Sequence, residues 1–531
     1  MNTHSNCSRL RWFLLFSLLL VIIDGNAEAR SGKQLYYNVD CTDFFWSCEV
    51  PPGKAGEALD RYVDEIAGCG ATVLLCNANA RRTNYRSKVW EAFWDGYDPA
   101  GPDEQPFLAP MPREDIAGYR KGIGNMLKVH QQGIDYPGRI IQRCRHRKIS
   151  PWITLRMNDC HNPDISNHPF HGSFWVKNPQ LRRNNTSGYF STCLDYASRE
   201  VRGYYMALIV ETLERYDIDG IELDFMREPY VFSANKEKEG MPILTGWIRE
   251  VRQRTAEAAA KRGHPIRLGI RVPSRPDVAL ALGLDAITWA REGLIDVLVT
   301  TPRWATIEFD IPISQWRQAL GKTKVILAGG LEVLYRPVPS DAPSVISPEL
   351  ATGAATSILS QGADAVYLFN YFECNFPGPL HQTMLKPMVS LDSLLKQPRR
   401  VGVTWRDITA PGEPYTPPLP ASGKEALFQI RLGPAPPKHW LCDVIIGFAP
   451  EQGAAGPPKV LVNSAPCEYL KEESSKEKPL RLLSFRVPAT ALKGRELHEV
   501  KVIQNDQEPM TIRQAEMFVR PAGKSWIITV P

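Results

Sequence analysis

The chain has 531 residues, 43% of them hydrophobic and 23% charged, with a formal net charge of +5. That length exceeds a single compact core and predicts two or three domains, while the composition excludes a chain that is disordered throughout. The positive charge is scattered rather than gathered into a stripe, so a nucleic-acid partner is not expected.

The first 29 residues read as a targeting segment. Arg9 and Arg11 precede the apolar run of residues 12–23, and Ala27-Glu28-Ala29 supplies small residues at a cleavage site. The run is short for a membrane span, and no later segment approaches one. The expectation is a secreted or periplasmic protein with no stable membrane insertion after cleavage.

From residue 30 to about 400, short β-branched or apolar runs alternate with helical patterns. The runs are 35–40, 72–78, 150–158, 219–225, 267–272, 295–301, 324–332 and 364–372. Helical spacing follows in segments such as 199–216 and 245–262. Eight strand-then-helix units predict an α/β fold of the (β/α)8 TIM barrel type. Long insertions follow the second and third strands. The first carries Arg81, Arg82, Tyr85, Trp90, Trp94 and Tyr97, and the second His161, His168, His171, Phe174, Trp175 and Tyr189. Loops after barrel strands surround the mouth, so these are expected either to wall a cleft or to cover exposed apolar surface. Beyond residue 400, strands follow one another without helices and are separated by Pro and Gly, which predicts a C-terminal all-β sandwich over 401–531. That sandwich is expected either to bind sugar or to serve as a structural appendage.

Barrel strands show alternate residues to the interior and to the surrounding helices. In the fourth run Ile221, Leu223 and Phe225 face outward, so Glu222 and Asp224 face inward, with Asp224 nearer the mouth. The same alternation turns Asp40, Arg156, Asn158 and Arg271 inward. Glu332 ends the seventh strand, and Asn370 lies near the end of the eighth, followed by Tyr371 and Glu373. Barrel interiors are normally filled by branched apolar side chains, and buried charges are costly unless paired. This ring is expected either to be a salt-bridge network, with Arg156 and Arg271 holding Glu222 and Asp224, or to bind and transform a polar substrate. Glycosidic hydrolysis uses two carboxyl groups, one protonating the leaving oxygen and one attacking carbon or activating water. Asp224 and Glu332 are the expected catalytic pair, and Glu222 is expected to be buried support. The remaining inward residues, with Tyr371 and Glu373, would contact substrate.

The segment at 194–229, LDYASREVRGYYMALIVETLERYDIDGIELDFMREP, resembles glycosyl-hydrolase-like barrels related to the α-amylase and chitinase superfamilies. Residues 282–302 look like the strand-5-to-6 region of the same group, and the resemblance covers roughly residues 35–395. DGIELDF is similar to the chitinase pattern D-G-x-D-x-D-x-E at Asp219, Gly220, Glu222 and Asp224. Met226 occupies the position of the catalytic glutamate, so that mechanism is not implied, and Glu228 lies two residues beyond. The likeness to amylase-type families implies a carboxylate nucleophile at Asp224 and an acid from another strand, here Glu332. A carbohydrate substrate follows.

No cofactor and no metal site is expected. The first strand ends in Asn38-Val39-Asp40 rather than an H-x-H pair, the three histidines of one loop have no carboxylate at helical spacing, and no paired CxxC occurs. Cys41 and Cys48 could pair locally. A G-x-S-x-G elbow is missing, which removes a serine hydrolase. A carbohydrate-binding barrel without turnover is the alternative function.

Overall fold

The structure is a computed structural model and describes residues 34–376, 378–449, 456–474, 480–504 and 510–523. The leader of residues 1–29 lies outside the described residues. Among these, no helix is long and apolar enough to cross a membrane.

Eight parallel strands close into a ring. They are β1 (Leu35–Val39), β2 (Val73–Asn77), β3 (Ser150–Arg156), β4 (Gly220–Asp224), β5 (Arg267–Pro273), β6 (Val297–Thr301), β7 (Ile326–Glu332) and β8 (Ala365–Phe369), and β8 pairs with β1. Helices lie between successive strands. The fold is a (β/α)8 barrel. Alternation holds as expected. Ile221 and Leu223 join the outer core, while Tyr36, Val73, Leu75, Trp152, Val297, Val299, Ala328 and Tyr367 form a separate apolar cluster inside the ring. Gly220 is required there, because a Cβ at that position would lie 2.3 Å from the Trp152 indole.

The strands are staggered. Phe369 is level in register with Asn38, Leu75, Trp152, Gly220 and Arg267. Followed the other way, through Glu332, the same row returns to β5 near position 275, eight residues further along. A shear of about eight tilts the strands so that each rises by roughly one residue over the last. The tilt brings Glu332 up to the level of Asp224, although the two are not register partners.

The helix expected at 199–216 spans Arg199–Arg215, and the Ser198 hydroxyl caps it by accepting from the Glu200 and Val201 amides. The next helix, Glu237–Arg262, starts eight residues before the expected 245. Its first turns rest on Phe232 because Gly240 has no side chain; a Cβ there would meet the ring at 2.3 Å. That contact is tertiary and overrides the breaking tendency of Gly240 and Pro242.

The C-terminal region contains two antiparallel sheets, one of six strands and one of four, running from Arg399–Gly402 to Met510–Pro521. It is joined to the barrel by close backbone contact and buried polar links. Gly353 of the barrel helix Pro348–Ser360 lets the Arg400 carbonyl approach, since a Cβ would sit 1.9 Å from it. Tyr335 donates 2.6 Å to Glu516, which also pairs with Arg400.

Candidate active site

The inward faces of β4, β5 and β7 converge on one guanidinium. Arg271 on β5 is fully buried and donates from Nη1 to Asp224 Oδ2 at 3.0 Å. Asp224 Oδ1 accepts from the Met226 amide at 2.8 Å, so both oxygens of this carboxylate are engaged. Glu332, 0% exposed, is also in the field of Arg271. Burial outweighs Arg271 and Arg227 and pushes the Glu332 carboxyl up to about 8, so it holds a proton at neutral pH. The Val333 amide donates to Glu332 Oε1 at 2.9 Å, and the Asn370 amide lies 3.5 Å from the same oxygen. Among the described residues, nothing hydrogen-bonds to Glu332 Oε2, Asn370 Oδ1, or Arg271 Nε and Nη2. Buried polar groups are normally satisfied, and here these four atoms lie on three neighbouring side chains, although others occur elsewhere in the fold.

One layer deeper, Glu222 Oε1 accepts from Thr154 at 2.7 Å and from Tyr367 at 2.9 Å. Burial, then the Asp224 charge, raises it to about 7. The expected network is therefore divided differently. Arg271 holds Asp224, two hydroxyls hold Glu222, and Arg156 turns elsewhere.

Arg156 bridges Asp40 at 2.6 Å and Asp159 at 2.9 Å. Burial works against both carboxylates. Arg156 and Arg227 nevertheless hold Asp40 below the usual range, and His161 with Arg156 holds Asp159 well below it. Asp159 Oδ1 lies 2.9 Å from His161 Nδ1, and His161 Nε2 lies 3.3 Å from Arg227 Nη2. Arg227 is buried, and its guanidinium lies over the Phe369 ring at 5.4 Å. A continuous chain thus runs from Asp40, just past the end of β1, through Arg156, Asp159 and His161 to Arg227. Beside it, Arg303 pairs with the buried Glu228 at 3.0 Å and approaches Asp407 at 3.9 Å. Asp159, Arg227, Arg303 and Asp407 escaped the sequence reading because they lie on irregular segments with no periodicity. The one available signal was the charge-rich Met226-Arg227-Glu228 immediately after β4.

Three expected contact residues do not join this cluster. Asn158 spends its amide on Leu194, accepting 2.8 Å from its N–H and donating 3.1 Å to its carbonyl, which clamps the loop after β3. Tyr371 is fully buried in the outer core, where its hydroxyl donates 3.3 Å to the Glu332 carbonyl. The cause is Asn370, whose φ of +63° breaks the alternation and swaps the faces of the two residues. Glu373 is exposed on the following 3-10 turn.

The aromatic insertions are mostly cover rather than cleft wall. Tyr85, Trp90, Trp94 and Trp175 are buried. Tyr204 of the helix Arg199–Arg215 stacks on Trp90 at 4.1 Å and on Phe174 at 3.9 Å, while Arg81 and Arg182 lie against Trp175 at 3.9 and 3.4 Å. His161 and Tyr189, partly exposed, are the members that reach the charged cluster. Cys41 and Cys48 are free thiols rather than a pair, and Cys160 and Cys193 lie 3.2 Å apart as free thiols beside the Asn158 clamp.

No family model and no curated protein matches the chain. Solved structures similar to it include α-L-fucosidase isoenzyme 2 from Paenibacillus thiaminolyticus, 12% identical, with a TM-score of 0.41, covering 68% of this chain and 50% of that one. The chain therefore spans half the length of that fucosidase. The PgaB glycoside hydrolase domain from Bordetella bronchiseptica is 10% identical, with a TM-score of 0.40, over 68% of this chain and 99% of that one. The maltogenic α-amylase AmyB from Thermotoga neapolitana is 9% identical, with a TM-score of 0.36, over 92% and 99%. The barrel assignment comes from the closed ring of eight strands itself.

Proposed function

We propose that this protein is a glycoside hydrolase acting on a poly- or oligosaccharide, with Glu332 as proton donor and Asp224 as the second carboxylate. One observation carries the reading. Glu332 is a buried carboxyl pushed up to about 8, with one oxygen unpartnered among the described residues, beside the same guanidinium that binds Asp224. Such a carboxyl can protonate the glycosidic oxygen as the bond to the anomeric carbon breaks. Asp224 then faces the developing positive charge and either attacks that carbon or activates water. Arg271 keeps Asp224 oriented. Arg227 and Asn370 offer donors to sugar hydroxyls.

The mature chain is proposed to begin after residue 29 and to act outside the cytoplasm, with the barrel over 30–400 and the sandwich over 401–531. A glycan-panel hydrolysis screen tests the activity. Turnover of one glycan that is lost in Asp224→Asn and in Glu332→Gln supports the assigned roles. Turnover unchanged in both variants overturns them.

A binding protein without turnover is favoured by one observation, the near-complete burial of both carboxylates, 1% exposed for Asp224 and 0% for Glu332. Glycan binding without cleavage across the panel would establish that reading.

A further inference from the structure

We propose that Glu65, Cys69 and His381 form a binding site for a divalent metal ion of the zinc class, outside the barrel wall where the ring closes. Glu65 and Cys69 sit four residues apart at the end of the helix Ala55–Gly68, so their side chains share one face. His381 arrives from the helix Leu380–Leu385, 312 residues later in the chain than Cys69.

The imidazole tautomer is fixed by its surroundings. Nε2 lies 2.8 Å from the Tyr371 carbonyl oxygen, which can only accept, so Nε2 carries the proton. Nδ1 is left with a lone pair. It faces Cys69 Sγ at 3.4 Å and Glu65 Oε1 at 3.7 Å, and the three candidate ligand atoms lie within 4.8 Å of one another. The thiol proton is shared between Nδ1 and the Glu65 carbonyl, 3.4 Å from Sγ, so three electron-rich ligand atoms converge and a cation can take the place of that one proton.

The spacing suits a small tetrahedral ion. Zinc bonds of about 2.3 Å to sulfur and about 2.0 Å to nitrogen imply a sulfur–nitrogen edge of roughly 3.5 Å. The sulfur, nitrogen and oxygen set excludes calcium and magnesium, which take oxygen ligands. Cys69 and His381 are fully buried, while the Glu65 side chain is 27% exposed and leaves a side for entry and for a water ligand. Outer contacts are in place as well. The Tyr371 carbonyl orients the ring, and the Gln382 amide donates to both Glu65 oxygens at 2.9 and 3.0 Å. Gly68 permits that approach, since a Cβ there would lie 2.6 Å from the Gln382 amide. A bound ion would clasp the helix after β1 to the helix after β8, across the seam at which β1 meets β8.

The test uses the full mature chain, stripped with chelator and titrated with Zn²⁺ and with Co²⁺ as a coloured substitute. One ion per chain is expected, with a thiolate-to-cobalt charge-transfer band that Cys69→Ser abolishes, and zinc raises the Tm. Because a ligand variant could fold poorly, Gln382→Ala is measured too, and its affinity falls by about 10- to 100-fold. A chain that takes up no stoichiometric metal, or a folded Cys69→Ser that keeps the band, overturns the proposal and leaves a hydrogen-bonded triad. Neither outcome bears on Asp224 or Glu332.

Discussion

The lower and upper halves of the same barrel interior are filled by opposite chemistry. Below, Tyr36, Val73, Leu75, Trp152, Val297 and Val299 pack as an apolar plug. Above, Asp224, Arg271, Glu332, Arg156 and Asp40 place five ionisable groups within a few residues of the strand ends. Apolar packing alone could fill both halves, and buried ion pairs seldom outperform it in stability. The difference separates what holds the ring together from what the ring is built to hold. Glu222 marks the boundary, because its hydroxyl partners belong to the packed layer while its raised carboxyl belongs to the charged one.

Substitutions should divide along that line. The largest effect is expected from Glu332→Gln, which removes the transferable proton and lowers kcat on a cleaved glycan by about 10²- to 10⁴-fold with an unchanged circular dichroism spectrum. Trp152→Ala should do the reverse, costing about 3–5 kcal/mol in urea denaturation through the cavity it leaves, while the folded fraction keeps its KM. A similar loss of turnover per folded molecule in both variants would break the division.

Next in size is a pH effect. A carboxyl raised on folding binds its proton more tightly in the native state. Its contribution is complete below the ordinary value near 4.5 and is lost as pH rises through the folded value, about 8 for Glu332 and about 7 for Glu222. Native stability should therefore decline between pH 5 and 8 by on the order of 1 kcal/mol per pH unit per group. Glu332→Gln should flatten that decline in urea titrations at the two ends of the range, and an unchanged slope would remove Glu332 as its source. The smallest effect is expected from Tyr367→Phe. Losing one hydroxyl on Glu222 costs about 1–3 kcal/mol in the same titration, with turnover little changed.

The charged layer was readable in part. Glu332 was legible as the end of the seventh strand, and alternation along β4 placed Asp224 inward from residue type alone. It does not extend to Tyr371, expected as a substrate contact, because a single left-handed residue, Asn370, reverses the faces beyond it. It was silent on Asp159, His161 and Arg227, whose chain of contacts depends on loop paths that no period describes.

By itself the sequence determined the eight strand-and-helix units, the inward face of each strand and the change to an all-β region near residue 400. These follow from local periods of two and 3.6 residues and from turn-forming residues, all written within a short stretch of chain. Tertiary structure alone decided which charges meet. Ring closure with its stagger brought Glu332 level with Asp224, assigned Arg271 to Asp224 and Arg156 to Asp40, and set His381 against Cys69. The bonded pairs lie 47 to 312 residues apart in the chain and meet only through strand pairing, stagger and ring closure, which are properties of the closed barrel rather than of any segment within it.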